Sequence, residues 1–332
     1  MQSLPSSSSS SSNSKPIIDS GERNWLDLPS DVVLTIFRKL HTIDLLHRAH
    51  NVCTTWRKIS KDPFLYHTID MPNIGTDLSS DFYLEILCQR AVDYSSGQAT
   101  DINIEYFGTD DLLRHIADSA NHLQRLRLLG CYNVTDEGLC EVAGKLSHLE
   151  ELDITIHSLS NDPLEAIGRC CPQLKTFKFN IEGFRRPRME FDDEAFSIAK
   201  TMPGLRHLML VGNKMSKDGL RAILDGCPHL ESLDIRQCFN LSLRGSLGKR
   251  CREQIKYLRL PYDATDDYPF RVELHYGYGS HDEDEDEDED YPSGISDIDL
   301  LSDNDYDYDE FLGGSEFSEY DYDDDYDYDD DF

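Results

Sequence analysis

The chain has 332 residues and a formal net charge of −32, carried unevenly: residues 261–332 hold 30 acidic side chains against one arginine, so −29 lies there and −3 is left for the first 260. That balance excludes a basic nucleic-acid binder, and the absence of any long apolar run or leader-like segment predicts neither a membrane span nor a secretory signal. Nine cysteines occur without a Cys-x-x-Cys pair, which argues against a zinc site and for free structural thiols in a reducing compartment, nucleus and/or cytoplasm.

In chain order, residues 1–22 are serine-rich and lack apolar periodicity, so disorder is expected. Pro29 suits the first turn of a helix, with Ser30 and Asp31 at its positive end. Val32, Val33, Ile36, Phe37 and Leu40 follow at three- and four-residue spacing and make one broad apolar face. A second helix is expected through Leu45, Leu46 and Ala49 with Thr42 as its N-cap, and a third from Val52 through Trp56 to Ile59, stopped by Pro63. Three helices in so few residues bury too little surface alone, so part of the apolar face needs a partner. The plainer reading is a helical cap on whatever follows.

A strand phrase then recurs: Leu123-x-x-Leu126-x-Leu128, Leu149-x-x-Leu152-x-Ile154, Leu174-x-x-Phe177-x-Phe179, Leu205-x-x-Leu208-x-Leu210, Leu230-x-x-Leu233-x-Ile235 and Ile255-x-x-Leu258-x-Leu260, with a weaker copy, Ala99-x-x-Ile102-x-Ile104, ahead of them. The steps of 24, 26, 25, 31, 25 and 25 residues predict about seven stacked strand–helix units, each too small to bury its own apolar face. Helix caps stand between them at Thr135-Asp136, Ser160-Asn161-Asp162, Asp192-Asp193 and Ser216-Lys217-Asp218. Because strand side chains alternate sides, the residue between the last two apolar positions of each phrase faces outward. That row is Asn103, Arg127, Asp153, Lys178, Met209, Asp234 and Arg259, flanked by Arg125, Glu151, His207 and Arg236. It is the candidate target-binding surface, against the plainer reading of a solvated sheet. The lengthened unit carries Arg185-Arg186-Pro187-Arg188, a loop or an anchor for the acidic tail. Residues 263–332, with the Asp/Glu run Asp282–Asp290 and Asp-Tyr repeats such as Asp305-Tyr306-Asp307-Tyr308, repel themselves and are expected to be disordered.

Two resemblances follow from these residues. Trp25-Leu26-Asp27-Leu28-Pro29 through Leu40, with the later Val52-Cys53-Thr54-Thr55-Trp56, resembles an F-box. The array, with Cys131 and Cys238 at the turn after a strand, Asn213 in the same place, and Cys171-Pro172, Cys227-Pro228 and Cys251-Arg252 before the next strand, resembles the cysteine-containing leucine-rich repeats often joined to F-boxes. Together they imply an α/β protein of plant F-box/leucine-rich-repeat type: a three-helix F-box over 23–68, about seven repeats over 69–262, and the acidic tail. The resemblance further implies a non-catalytic substrate receptor of a Skp–cullin–F-box ubiquitin ligase. It would dock a Skp-type adaptor, and through it cullin, with Leu28, Pro29, Val33, Ile36, Phe37, Leu40, Val52, Cys53 and Trp56 making or supporting those contacts. The alternative is a scaffold or chaperone that holds basic proteins through its tail. No cofactor is expected, since phosphate-binding glycine motifs and a clustered Lys/Arg pocket are both missing. His115, His122, His148 and His157 read as surface or capping groups before acid–base catalysts.

Overall fold

The computed structural model describes residues 25, 28–72, 81–181 and 189–268. The serine-rich start, the Arg185–Arg188 insertion and the acidic tail beyond residue 268 lie outside the described residues, and so do the disorder expected of the start and of that part of the tail and the loop or anchor expected of the insertion.

Helix α1 runs Ser30–Phe37, as the proline start predicts, with the amides of Val32 and Val33 both donating to the Pro29 carbonyl. It closes sooner than the apolar spacing suggests. The amides of Lys39 and Leu40 reach back only three residues, to Ile36 and Phe37, at 3.0 Å each, which winds the chain too tightly for another α-turn. Leu40 therefore stands on the closing turn and not on the helix face. The second helical stretch is irregular, a wide turn over Asp44–Arg48 followed by a tight one over Ala49–Asn51. Thr42 does not cap it: its hydroxyl accepts 3.1 Å from the Asp70 amide, in the first strand of the sheet. Helix α2 spans Thr54–Ile59, and the Cys-x-x-Trp signal is its cap, because the Cys53 sulfur accepts from the Trp56 amide at 3.3 Å. Pro63 both ends that stretch and opens a tight turn, Pro63–Tyr66, capped by Asp62.

Among the described residues, eight strands then alternate with seven helices: β1 Thr68–Met71, α3 Asp81–Tyr94, β2 Asp101–Glu105, α4 Asp110–Ser119, β3 Arg125–Leu129, α5 Asp136–Ala143, β4 Glu151–Thr155, α6 Asp162–Cys170, β5 Thr176–Asn180, α7 Asp193–Thr201, β6 His207–Met209, α8 Lys217–Gly226, β7 Ser232–Asp234, α9 Ser246–Gln254 and β8 Tyr257–Arg259. All strands pair in parallel with their sequence neighbours, giving one sheet in the order β1 to β8. The recurring phrase sets the register: Ile102, Leu126, Leu152, Phe177, Leu208, Leu233 and Leu258 stand opposite one another. β1 adds a unit to the seven expected. Its phrase is Tyr66-x-x-Ile69-x-Met71, with Ile69 opposite Ile102 and Met71 opposite Ile104. The boundary expected at residue 68 thus falls inside a strand, and Val33, Phe37, Leu45 and Leu46 of the helical segments share one core with Ile69 and the repeats.

The capping residues turn out to bind across repeats as well as within them. Asp110, in the first turn of α4, accepts from the amide and hydroxyl of Thr135 at 2.8 and 2.7 Å. Asp136 accepts from the Ser160 amide at 3.0 Å, and Asp192 from the amide and hydroxyl of Ser216 at 2.7 and 2.6 Å. Asp110 and Asp192 therefore tie down the N-caps of α5 and α8, while Asp136 holds Ser160, one residue ahead of the α6 N-cap Asn161. Gly138 has no side chain for the same reason, since a Cβ there would meet the Asp110 carboxylate at 2.0 Å.

The repeat region also continues past 262. Residues 263–268 fold back on the open face of the sheet instead of leaving it.

Candidate functional site

The expected adaptor residues separate into a buried support and an exposed rim. Val33 and Phe37 lie within the core. Both are supporting positions, turned inward while Val32 of the same apolar set stays exposed. Trp56 packs edge-on against Phe37 with ring centroids 5.2 Å apart, and Leu28 and Trp56 both lean on the core. Ile36 is half-buried, as is the capping residue Cys53. Pro29, Leu40 and Val52 face solvent, Leu40 at 38% and Val52 at 57% exposure. Their exposed apolar company includes Trp25, Val32 and Phe64, of which only Val32 was signalled by the helical spacing. Leu40 and Phe64 line one small cavity together with Leu45, Leu65 and His67. Apolar groups left in water beside a rigid core are what a docking surface needs.

The candidate target row is real as a row. The strand register sets Asn103, Arg127, Asp153, Lys178, Met209, Asp234 and Arg259 side by side across the open face, and Asp70 of β1 joins it at the near end. As a set of free charges it needs correction. Asp153 and Asp234 are buried, each with a side chain only 8% exposed. Asp153 takes Lys178 at 3.0 Å and Arg127 at 3.3 Å, and Lys178 also reaches Glu151 at 3.0 Å. Asn103 donates to Asp70 at 2.8 Å. Arg236, expected at the flank, is the centre of a buried cluster: its Nε and Nη2 hold Asp234 at 3.0 and 2.7 Å, and its Nη1 reaches the Ala264 carbonyl at 2.9 Å and Asp267 at 2.5 Å. Opposite charges at matched positions on adjacent strands neutralise one another, so alternation in sign made a lattice and not an open charged strip. Between β5 and β8 a groove of about 620 Å³ remains, lined by Lys178, His207, Met209, Lys256, Arg259 and Asp267 among others.

The buried cysteines have structural chemistry. The Cys171 thiol donates to the Leu146 carbonyl at 3.3 Å and the Cys238 thiol to the Leu210 carbonyl at 3.0 Å. Burial pushes the Cys171 and Cys88 thiols up to about 12 and the Cys131 and Cys227 thiols to about 11. Such groups stay protonated and are poor nucleophiles at neutral pH.

His157 is a turn cap, its Nδ1 accepting from the Leu159 amide at 3.1 Å while its ring lies 3.9 Å from that of Phe179. Burial pushes its pKa down to about 4, against a smaller opposing pull from Asp136. The unfolded chain therefore takes up this proton first. Stability supported by the neutral ring is present above about pH 6.5 and is lost as pH falls from there towards 4, by roughly 3 kcal/mol at most. The His157→Phe variant should melt with a flatter pH dependence between pH 6.5 and 4 than the parent, and identical profiles would remove His157 from that role.

Residues 25–72 match the F-box-like family, a span that runs past β1 to Pro72. Over 315 residues the chain is 44% identical to the F-box protein SKIP19 of Arabidopsis thaliana, covering 94% of this chain and 98% of that one. It is 44% identical over 270 residues to the putative F-box/LRR-repeat protein 23 of the same plant, covering 79% of this chain and 59% of the relative. To the putative F-box/LRR-repeat protein 22, also from Arabidopsis thaliana, it is 41% identical over 261 residues, covering 77% and 84%.

Proposed function

Because the chain belongs to the F-box/leucine-rich-repeat proteins of plants, we propose that it is a substrate-recognition subunit of a Skp–cullin–F-box ubiquitin ligase. The observation that carries this reading is that Pro29, Val32, Leu40 and Val52 stay exposed in the same segment whose buried Phe37 packs edge-on against the half-buried Trp56. In this reading the rim docks a Skp-type adaptor, which links the chain to cullin, and the open face of the sheet holds a target protein. The chain makes and breaks no bonds. It raises the effective concentration of a target lysine near a charged ubiquitin carrier, which is proximity and not catalysis by its own side chains. Its free thiols fit a place in the nucleus or cytoplasm, and a fluorescent fusion would test that placement.

A second reading rests on the tail. A segment of −29 charge suits a scaffold or chaperone that holds basic proteins. Hydrogen exchange of the full chain with and without purified adaptor separates the two. The receptor reading expects new protection in residues 28–59 and little change in β2 to β8. Protection confined to the strands, or none at all, overturns it and favours the scaffold.

A further inference from the structure

Beyond β8 the chain turns twice, with the Asp263 amide donating to the Leu260 carbonyl at 3.1 Å and the Tyr268 amide to the Thr265 carbonyl at 2.8 Å. The second turn returns it across the open face. Asp267 settles between two guanidinium groups, 2.5 Å from Arg236 and 3.1 Å from Arg259. The next residue, Tyr268, hydrogen-bonds Thr155 at the end of β4 and lies with its ring 5.8 Å from the Arg236 guanidinium. Two consecutive residues of one short segment thus engage β4, the residue two past β7, and β8. Their contacts are a carboxylate in a guanidinium fork and a phenol with one polar partner and a cationic neighbour, the interactions by which peptides are recognised.

The rest of the site is built to hold more than this segment. Arg236 is almost fully buried, fixed by Asp234, and still aims one nitrogen at the carboxylate of Asp267. Beside Asp267 the groove of about 620 Å³ is unfilled, a size that suits a ligand-binding cleft. Its charged walls are Lys178, Lys256, Arg236 and Arg259 with the acids Asp234 and Asp267, and of the cations Lys178 is already paired with Asp153 and Glu151.

We propose that this groove recognises an acidic–aromatic segment of the target, an Asp–Tyr unit, and that Asp267–Tyr268 of this chain occupy the site until such a segment displaces them. The inference rests on the target-receptor reading above and names what the receptor takes. The resident segment follows β8 by few residues, so its effective concentration at the site is on the order of millimolar. An external peptide of the same chemistry binds in competition with it, and its apparent affinity is reduced by the fraction of chains in which the site is closed.

The test uses the full chain and a fluorescein-labelled peptide with the sequence of residues 264–269, followed by fluorescence anisotropy. The expected result is that the Asp267→Ala/Tyr268→Ala variant binds this peptide at least tenfold more tightly than the parent. Adding Lys256→Glu and Arg259→Glu, both exposed, should abolish the gain. Equal affinity for opened and parent chains, or equal binding of a peptide in which both aspartates are asparagines, overturns the proposal. Should the double alanine variant melt early, Asp267→Asn alone is the deciding chain: its side chain is 54% exposed, it removes one charge, and a gain of about threefold is expected, no gain being the contrary result. Adaptor capture is measured on the same preparations. Retained capture without a peptide gain sinks this inference alone, whereas lost capture by the parent chain sinks the receptor reading whatever the peptide does.

Discussion

Replacing Arg236 with alanine is expected to lower the thermal midpoint by about 6–20 °C, the largest single effect of any substitution on the open face. The guanidinium is 3% exposed and makes three hydrogen bonds with Asp234, itself 8% exposed. Removing one partner of such a pair leaves a buried carboxylate without its cation, a loss of about 3–5 kcal/mol. At about 2–4 °C per kcal/mol for a folded region of this size, that gives the stated shift, and it is a large share of the roughly 5–15 kcal/mol that holds a domain together. The double variant Arg236→Met/Asp234→Leu discriminates the cause. It removes both charges and fills similar volume, so it should recover most of the loss. A drop in the single variant of less than 2 °C, or a double variant as unstable as the single, would show that the pair is not the source.

The repeat fold was legible because two independent periods agreed. The phrase spacing counted units, and the alternation within each phrase separated core from surface, so the row from Asn103 to Arg259 stands side by side as expected. β1 escaped because its phrase opens with Tyr66 in place of an aliphatic residue and stands 33 residues ahead of Ala99, outside the regular step. Leu40 leaves the helix for a local reason, since helical spacing continues in the sequence after the backbone has tightened into a closing turn at Phe37, whereas Thr42 is drawn off by the distant Asp70 amide. The cross-repeat caps were half-read. Ser, Thr and Asp at helix starts are a strong local signal, but nothing local says that Asp110 serves Thr135 or that Asp192 serves Ser216.

The candidate sites divide in the same way. Which side of the sheet a residue faces follows from its parity in the strand, and that held. Whether it is free there depends on what stands beside it, Lys178 of the next strand for Asp153 and Arg236 two residues on for Asp234, and both carboxylates are buried members of ion pairs. The return of Asp267 and Tyr268 had no sequence signal at all. They sit in a charge-rich stretch with few aliphatic groups, and what holds them is Arg236, some 31 residues back, together with Arg259 and Thr155. On the helical side, amphipathic spacing grouped the apolar residues of α1 but could not say that Val33 and Phe37 pack inward and that Val32 remains outside, as does Leu40 on the turn beyond.

The second large effect falls on the docking rim, and calorimetric titration of purified Skp-type adaptor into the full chain reads it. Leu40 and Val52 are exposed side chains on the turns that flank the Phe37–Trp56 pair. Burial of such a side chain against a partner is worth about 1.5–3 kcal/mol. Replacing both by aspartate removes that gain and sets two carboxylates against an apolar partner surface, so the dissociation constant should rise at least about a hundredfold. Neither residue supports the core, and the thermal midpoint should stay within about 2 °C of the parent. Adaptor binding should be nearly lost in a chain that melts as the parent does. Parent-like affinity in the Leu40→Asp/Val52→Asp chain, with the fold intact, would contradict it.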